Sequence, residues 1–150
     1  MTDSTILAAK DQIATCIHEV FIGTDQRQWR QVRARFAPMV HFDMTSLAGG
    51  SPQKLTPQQI TDGWEEGLKP LEHIHHQTGN LLISVNGDTA KAFCYGIALH
   101  YRTTKSGANV RRFVGSYEFV LQRAVERWLI SSLEFTLKFV DGNRELDTSP

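Results

Sequence analysis

The sequence predicts an α+β fold: a curved antiparallel sheet closing like a cone around three N-terminal helices. Three observations predict it. Apolar residues recur at helical spacing only in the first 70 positions. From residue 72 to 140 the pattern is nearly all strand. A turn signal, Asn86-Gly87-Asp88, folds the first strand-like stretch into a long hairpin. Such a cone leaves an apolar cavity between helices and sheet. A polar side chain reaching that cavity is conspicuous, because burying it unpaired costs roughly 1–3 kcal/mol.

The helical elements come first. Ser4 to Ile22 carries Ile6, Ile13, Ile17, Val20 and Phe21 on one stripe, with Asp3 or Ser4 as cap and Gly23 as stop. A second helix is expected from about Asp25 to Phe36, with Trp29, Val32 and Phe36 inward. Asp25 would be its N-cap, Gln28 would sit at the capping-box position, and Pro38 would end it. Met39 to Thr45 reads as a short strand and residues 46–55 as a loop. Thr56-Pro57-Gln58-Gln59 is a helix start, combining a cap, proline in the first turn and glutamine at the third position. Ile60, Trp64 and Leu68 form the buried stripe of this third helix. Gly63 and Gly67 fall on a neighbouring face that suits close backbone approach, and Pro70 ends the helix.

The stretch from His73 to Arg102 organises the rest. Each hairpin arm carries a histidine near its far end, His76 and His100. A three-residue loop at 86–88 sets His76 opposite Ala98 and puts His100 one diagonal step away on the same face, roughly 7–8 Å between backbones. A loop of Asn86-Gly87 alone sends the two imidazoles to opposite faces, unless a bulge at Gly79 or Gly96 restores them. The second arm is asymmetric. Ala90, Ala92, Cys94, Gly96, Ala98 and His100 share one face, and Phe93, Tyr95, Ile97, Leu99 and Tyr101 the other. Small residues suit a concave face against helices. The large apolar face calls for a cover of its own, so a homo-oligomer, dimer or trimer, is expected through the sheet. Val110 to Arg123 and Trp128 to Val140 complete the strands. Residues 1–140 read as one domain, and 141–150 as a polar tail, either mobile or a flap that orders over something.

Composition narrows the function classes. The 150 residues hold 16 basic and 16 acidic side chains, so no net charge draws the chain to nucleic acid or membrane. No basic segment followed by an apolar run opens it, and no apolar stretch nears the ~20 residues of a membrane helix. The two cysteines, Cys16 and Cys94, sit in apolar patterns and read as buried free thiols of a cytoplasmic protein. His73 and His75 alternate away from His76, so this run does not converge on a metal, and no metal or other cofactor is expected. Arg102, Lys105, Arg111 and Arg112 read as a solvated cluster at one hairpin end, and His41 and Asp43 as a pair outside the cavity.

The order of elements resembles the nuclear transport factor 2-like (cystatin-like) superfamily and, within it, the SnoaL-like proteins. The resemblance extends to scytalone dehydratase. It is carried by Thr24-Asp25-Gln26-Arg27-Gln28-Trp29, by Val32-Arg33, by Ala37-Pro38 with Phe42-Asp43, and by His76 followed by Gly79. It implies that Asp25, His76 and His100 are the catalytic residues, and that a small-molecule substrate is bound without cofactor. The family's two water-orienting tyrosines fall at Thr24 and Met44, neither able to do that work, and its serine and asparagine fall near Gly115 and Tyr117. The shell that polarises the substrate therefore differs.

An Asp-His-His set in an apolar cavity suits proton transfer, since imidazole titrates near 6.5 and serves as acid or base at neutral pH. Asp25 is expected to orient His100, with His76 sharing the acid–base work. Tyr117, Met44, Thr24 and Trp64 are the candidate substrate contacts. The expected activity is elimination of water from a small cyclic or aromatic carbonyl or hydroxy compound. The alternatives are an isomerase or hydrolase of the same fold, or a non-catalytic binding or oligomerisation module such as a dioxygenase small subunit. That last reading would have the cavity filled, or the histidines bonded to backbone.

Overall fold

In the computed structural model, which describes residues 1–150, the cap of the first helix is Thr2, one residue before Asp3 and two before Ser4, the predicted caps. Thr2 and Thr5 form a capping box, and α1 runs from Asp3 to Asp25. Gly23 does not stop it. A Cβ there would lie 2.7 Å from Val32 Cγ2, so the glycine admits the next helix rather than ending this one. The helix ends in a Schellman arrangement: Gln28 N donates to Gly23 O and Arg27 N to Thr24 O. Arg27 takes the left-handed conformation (φ 56) that glycine usually supplies, which is why the sequence concealed the stop. Asp25 is therefore the last residue of α1, not the cap of α2. The latter is a short helix, Trp29–Arg33, without a side-chain cap.

Strand β1 spans Phe36–Asp43 and includes Pro38, expected to be a helix stop. The expected loop holds two short elements, α3 (Thr45–Ala48) and β2 (Gln53–Leu55). Helix α4 (Pro57–Leu68) has the predicted capping box between Thr56 and Gln59, with proline in its first turn. Four long strands follow: β3 (His73–Asn86), β4 (Thr89–Tyr101), β5 (Val110–Ala124) and β6 (Arg127–Gly142). The sheet order is β2-β1-β6-β5-β4-β3, and only β1 and β6 run parallel.

Hairpin parity is settled by a bulge. Asn86 pairs with Thr89, so the loop is Gly87-Asp88, two residues rather than three. Alone, that loop would put His76 and His100 on opposite faces. The register shifts between Gly79 and Leu82, where Asn80 has φ 56, and beyond the shift His76 faces Ala98 and Ile74 faces His100. Both imidazoles return to the inner face. Further shifts at Val114/Gly115 and Val120/Leu121 accompany the curvature of β5 and β6.

The core lies between α1 and this inner face. Ile13, Ile17 and Val20 meet Ala92, Cys94, Phe119, Leu121 and Ile130, all buried. The small residues of β4 let the helix approach. Both cysteines are free and buried, and burial pushes each thiol up to about 11. The outer face of β4 differs: Tyr95 and Ile97 are exposed. Residues 143–150 fold back on the β4–β5 end, with Leu146 fully buried beside Leu71 and Ile74. Asp43 bonds to Thr45 rather than pairing with His41. No helix is long and apolar enough to cross a membrane.

Candidate active site

The last turn of α1 crosses the inner face of the sheet and delivers Asp25 to β3. The carboxylate holds His76 twice: Oδ2 accepts from the His76 backbone N–H at 2.9 Å, and Oδ1 lies 2.6 Å from Nδ1 of the ring. The sequence expectation that Asp25 orients His100 is thereby corrected. A carboxylate at a helix C-terminus faces the negative end of the dipole, a local cost of about 0.3–1 kcal/mol. Two hydrogen bonds to one residue offset it. The Phe21 ring, 5.4 Å from the imidazole, packs beside the pair.

The His100 partner is a residue assigned from sequence to a solvated cluster. Arg111 is buried, pairs with His100 across the β4–β5 ladder, and places Nη2 3.0 Å from His100 Nδ1. Arginine only donates, so Nδ1 accepts and the ring hydrogen belongs on Nε2. His76 is the mirror case. Its Nδ1 donates to a carboxylate, so in the neutral ring the lone pair is on Nε2. Burial holds His100 down to about 4, with the Arg111 charge and nearby His76 adding to the effect against Asp147 and Asp25. His100 thus stays neutral at pH 7.

The two imidazoles line one cavity of about 220 Å³ with Thr24, Met44, Trp64 and Tyr117, the four predicted substrate contacts. Its wall is otherwise largely apolar and includes Leu47, Phe113 and Phe135. Thr24 donates its hydroxyl to Val20 O at 2.7 Å, so it offers the cavity mainly its methyl. Met44 is apolar as well. The Tyr117 ring lies over Gly96, where a Cβ would sit 2.3 Å from Cε2. Burial, then Cys94 and Asp25, push its phenol up, so Tyr117 remains a neutral donor. Gly63 and Gly67, expected to admit another backbone, meet nothing within 4 Å of a built Cβ and line the cavity instead.

Sequence reasoning missed Arg111, Phe113 and both cavity glycines. A signal for the first existed: counting back in twos from Tyr117 along β5 reaches Gly115, Phe113 and Arg111 on the same face. His73 and His75 are exposed, as alternation requires, and His75 Nε2 lies 3.2 Å from Gln77 Oε1. No group of three or more His, Cys, Asp or Glu side chains is placed to hold a metal ion.

The model of the SnoaL-like domain matches residues 5–134. The chain belongs to the SnoaL-like family. Among curated proteins none matches the sequence. Solved structures match closely in shape. The Kfla4162 protein from Kribbella flavida is 16% identical with a TM-score of 0.89, over 96% of this chain and 99% of that one. A type 2 hexachlorocyclohexane dehydrochlorinase, LinA, is 18% identical with a TM-score of 0.80, over 99% and 98%. A provisional scytalone dehydratase from Novosphingobium aromaticivorans is 14% identical with a TM-score of 0.82, over 95% and 93%. At these identities the likeness is one of fold.

Proposed function

We propose that this SnoaL-like protein is a cofactor-independent lyase that eliminates HX from a small cyclic compound, with Asp25–His76 as the base and X a hydroxyl or halide. The observation that carries the reading is the two-point hold of Asp25 on His76 at the wall of an open apolar cavity. The dehydratase and dehydrochlorinase names among the fold neighbours are consistent with it.

The chemistry follows from the two tautomers. His76 Nε2 takes a proton from a carbon of the ring, and Asp25 stabilises the imidazolium that forms. The electrons of the broken C–H bond become the new C=C bond, and X departs from the adjacent carbon with its own pair. A halide leaves as the anion, and the imidazolium of His76 then gives its proton to water, which restores the base. A hydroxide needs a proton, and neutral His100 is a poor source of one. His76 supplies it instead, returning the proton it took, so water leaves and the enzyme is restored. His100 Nε2–H and the Tyr117 phenol stabilise the developing negative charge as fixed donors. A cavity of about 220 Å³ is below the roughly 300–1,000 Å³ of drug-sized sites, which favours a single ring.

The binding-module reading asks for a cavity filled with side chains or for histidines bonded to backbone. The open cavity and the ring contacts of both histidines favour the enzyme. The test is a turnover survey over cyclic β-hydroxy ketones and polyhalogenated cyclohexanes, read by formation of the unsaturated product. Product formed by the wild type and lost in His76→Gln supports the assignment. Binding of ring compounds without turnover across the survey would replace it with the binding module.

A further inference from the structure

We propose that the C-terminal segment 143–150 belongs to this site: Asp147 clamps Arg111, and Arg111 holds His100 as the tautomer whose one N–H, on Nε2, is left for the cavity. The proposal rests on reading the cavity as an active site and assigns positioning residues to it. Arg111 and Asp147 are not among the cavity-lining residues.

The observations form a chain. The Arg111 guanidinium meets Asp147 at two points, Nη1 to Oδ2 at 2.9 Å and Nη2 to Oδ1 at 3.0 Å. The same Nη2 reaches His100 Nδ1 at 3.0 Å. Arg111 is buried, so without Asp147 its charge would lack a counter-ion, and the guanidinium would turn toward water and release the imidazole. Asp147 is in turn held by its segment. Arg102 Nη1 donates to Leu146 O at 2.9 Å and to Ser149 O at 2.7 Å, and Leu146 is fully buried. The fold-back starts at Gly142, which pairs with Arg111. It has φ 84, and a Cβ there would lie 2.3 Å from Val110 O. An ion pair serving stability alone has no need of an imidazole nitrogen as third partner. This one ends on the nitrogen that decides what His100 offers the cavity.

The groups facing His100 are Asp25 from α1, His76 from β3, Arg111 from β5 and Asp147 from the tail. Long-range ¹H–¹⁵N spectra of the labelled full chain read each imidazole tautomer without any substrate. In the wild type, His100 is expected to carry hydrogen on Nε2 only, unchanged from about pH 8 to pH 5. Arg111→Met should populate both tautomers and shift the His100 titration up toward the ordinary 6.5. Asp147→Asn should mix the tautomers partially. The half-exposed Asp147 gives a variant that tests the idea should Arg111→Met fail to fold. Hydrogen on Nδ1 of His100 in the wild type overturns the proposal, as does a pure Nε2–H form in every variant that folds. The same spectra report His76: hydrogen on its Nε2 rather than Nδ1 would sink the Asp25–His76 base while leaving the role of the tail intact.

Discussion

Arg111 stands directly across the β4–β5 ladder from His100 and donates to its Nδ1 at 3.0 Å, which leaves the hydrogen of the neutral ring to Nε2. Asp25 does the opposite for His76, accepting from its Nδ1. Two histidines on one sheet face thus meet opposite partners, a cation at one Nδ1 and a carboxylate at the other.

His76→Gln should lower turnover by about 10²–10⁴-fold, the usual worth of general base catalysis, with KM changed little. Asp25→Asn should also lose turnover, because the imidazole loses its orienting carboxylate. Its melting temperature should fall far less than a core deletion would require, since removing an anion from a helix C-terminus returns about 0.3–1 kcal/mol. Steady-state kinetics and thermal melts on both variants decide this. An Asp25→Asn protein that turns over normally but melts much earlier makes Asp25 a structural residue.

The bare positions of α4 are expected to set cavity volume. Gly67→Leu should abolish binding of ring compounds while the chain stays folded, because a Cβ there meets nothing within 4 Å. Gly63→Ala should raise stability by roughly 0.5–1 kcal/mol, the helix penalty of glycine. Ligand titration and urea unfolding separate the two effects. Unchanged binding in Gly67→Leu would mean that the ligand sits elsewhere.

Gly96→Ala is predicted to destabilise by about 1–3 kcal/mol through overpacking, because the new methyl collides with the Tyr117 ring. The cavity should be disturbed with it. A crystal structure of the variant with Tyr117 unmoved would refute this placement.

Stability is expected to depend on His100 below neutral pH. Its folded pKa, about 4, lies below its ordinary 6.5, so the unfolded chain binds the extra proton first. The contribution is complete above about pH 6.5 and is lost progressively down to about pH 4, for a total on the order of 3 kcal/mol. Urea midpoints from pH 7.5 to 4.5 should fall in the wild type and fall less in His100→Asn. Parallel curves would assign the loss to other groups.

The outer face of the sheet is proposed to seat a second copy of the chain. Tyr95, Ile97, Val110 and Phe139 are exposed there, and Ile97, Val114 and Phe139 share one row across three strands. Light scattering should give a dimer or trimer, and Ile97→Lys should shift it toward monomer. A wild-type monomer at concentrations of tens of micromolar would rule the interface out.

The legible part of the site was what alternation and spacing carry. The inward face of β4 was readable from its small residues and Trp64 from its place in the helix pattern, while Tyr117 was pointed to by the resemblance. Arg111 was hidden by its company: four cationic side chains around a loop look solvated until the strand register turns one inward. The end of α1 was hidden by Gly23, which looks like a stop but serves packing, and by Arg27, which stops the helix without looking so.

Beside the resemblance that implied Asp25, His76 and His100 as a set, the sequence by itself determined the order of the main helices and long strands and the curved sheet over N-terminal helices. These depend on periodicities and caps that act over a few residues. Only the tertiary structure decided which histidine Asp25 holds, because that contact spans 51 positions and depends on where the last turn of α1 crosses the sheet. It also decided the parity of the hairpin, by placing the bulge after Gly79 where the sequence had left Gly79, Gly96 or no bulge open, and the return of Asp147 over Arg111. Register and long-range ion pairs are collective properties of the packed sheet, and no short stretch of sequence carries them.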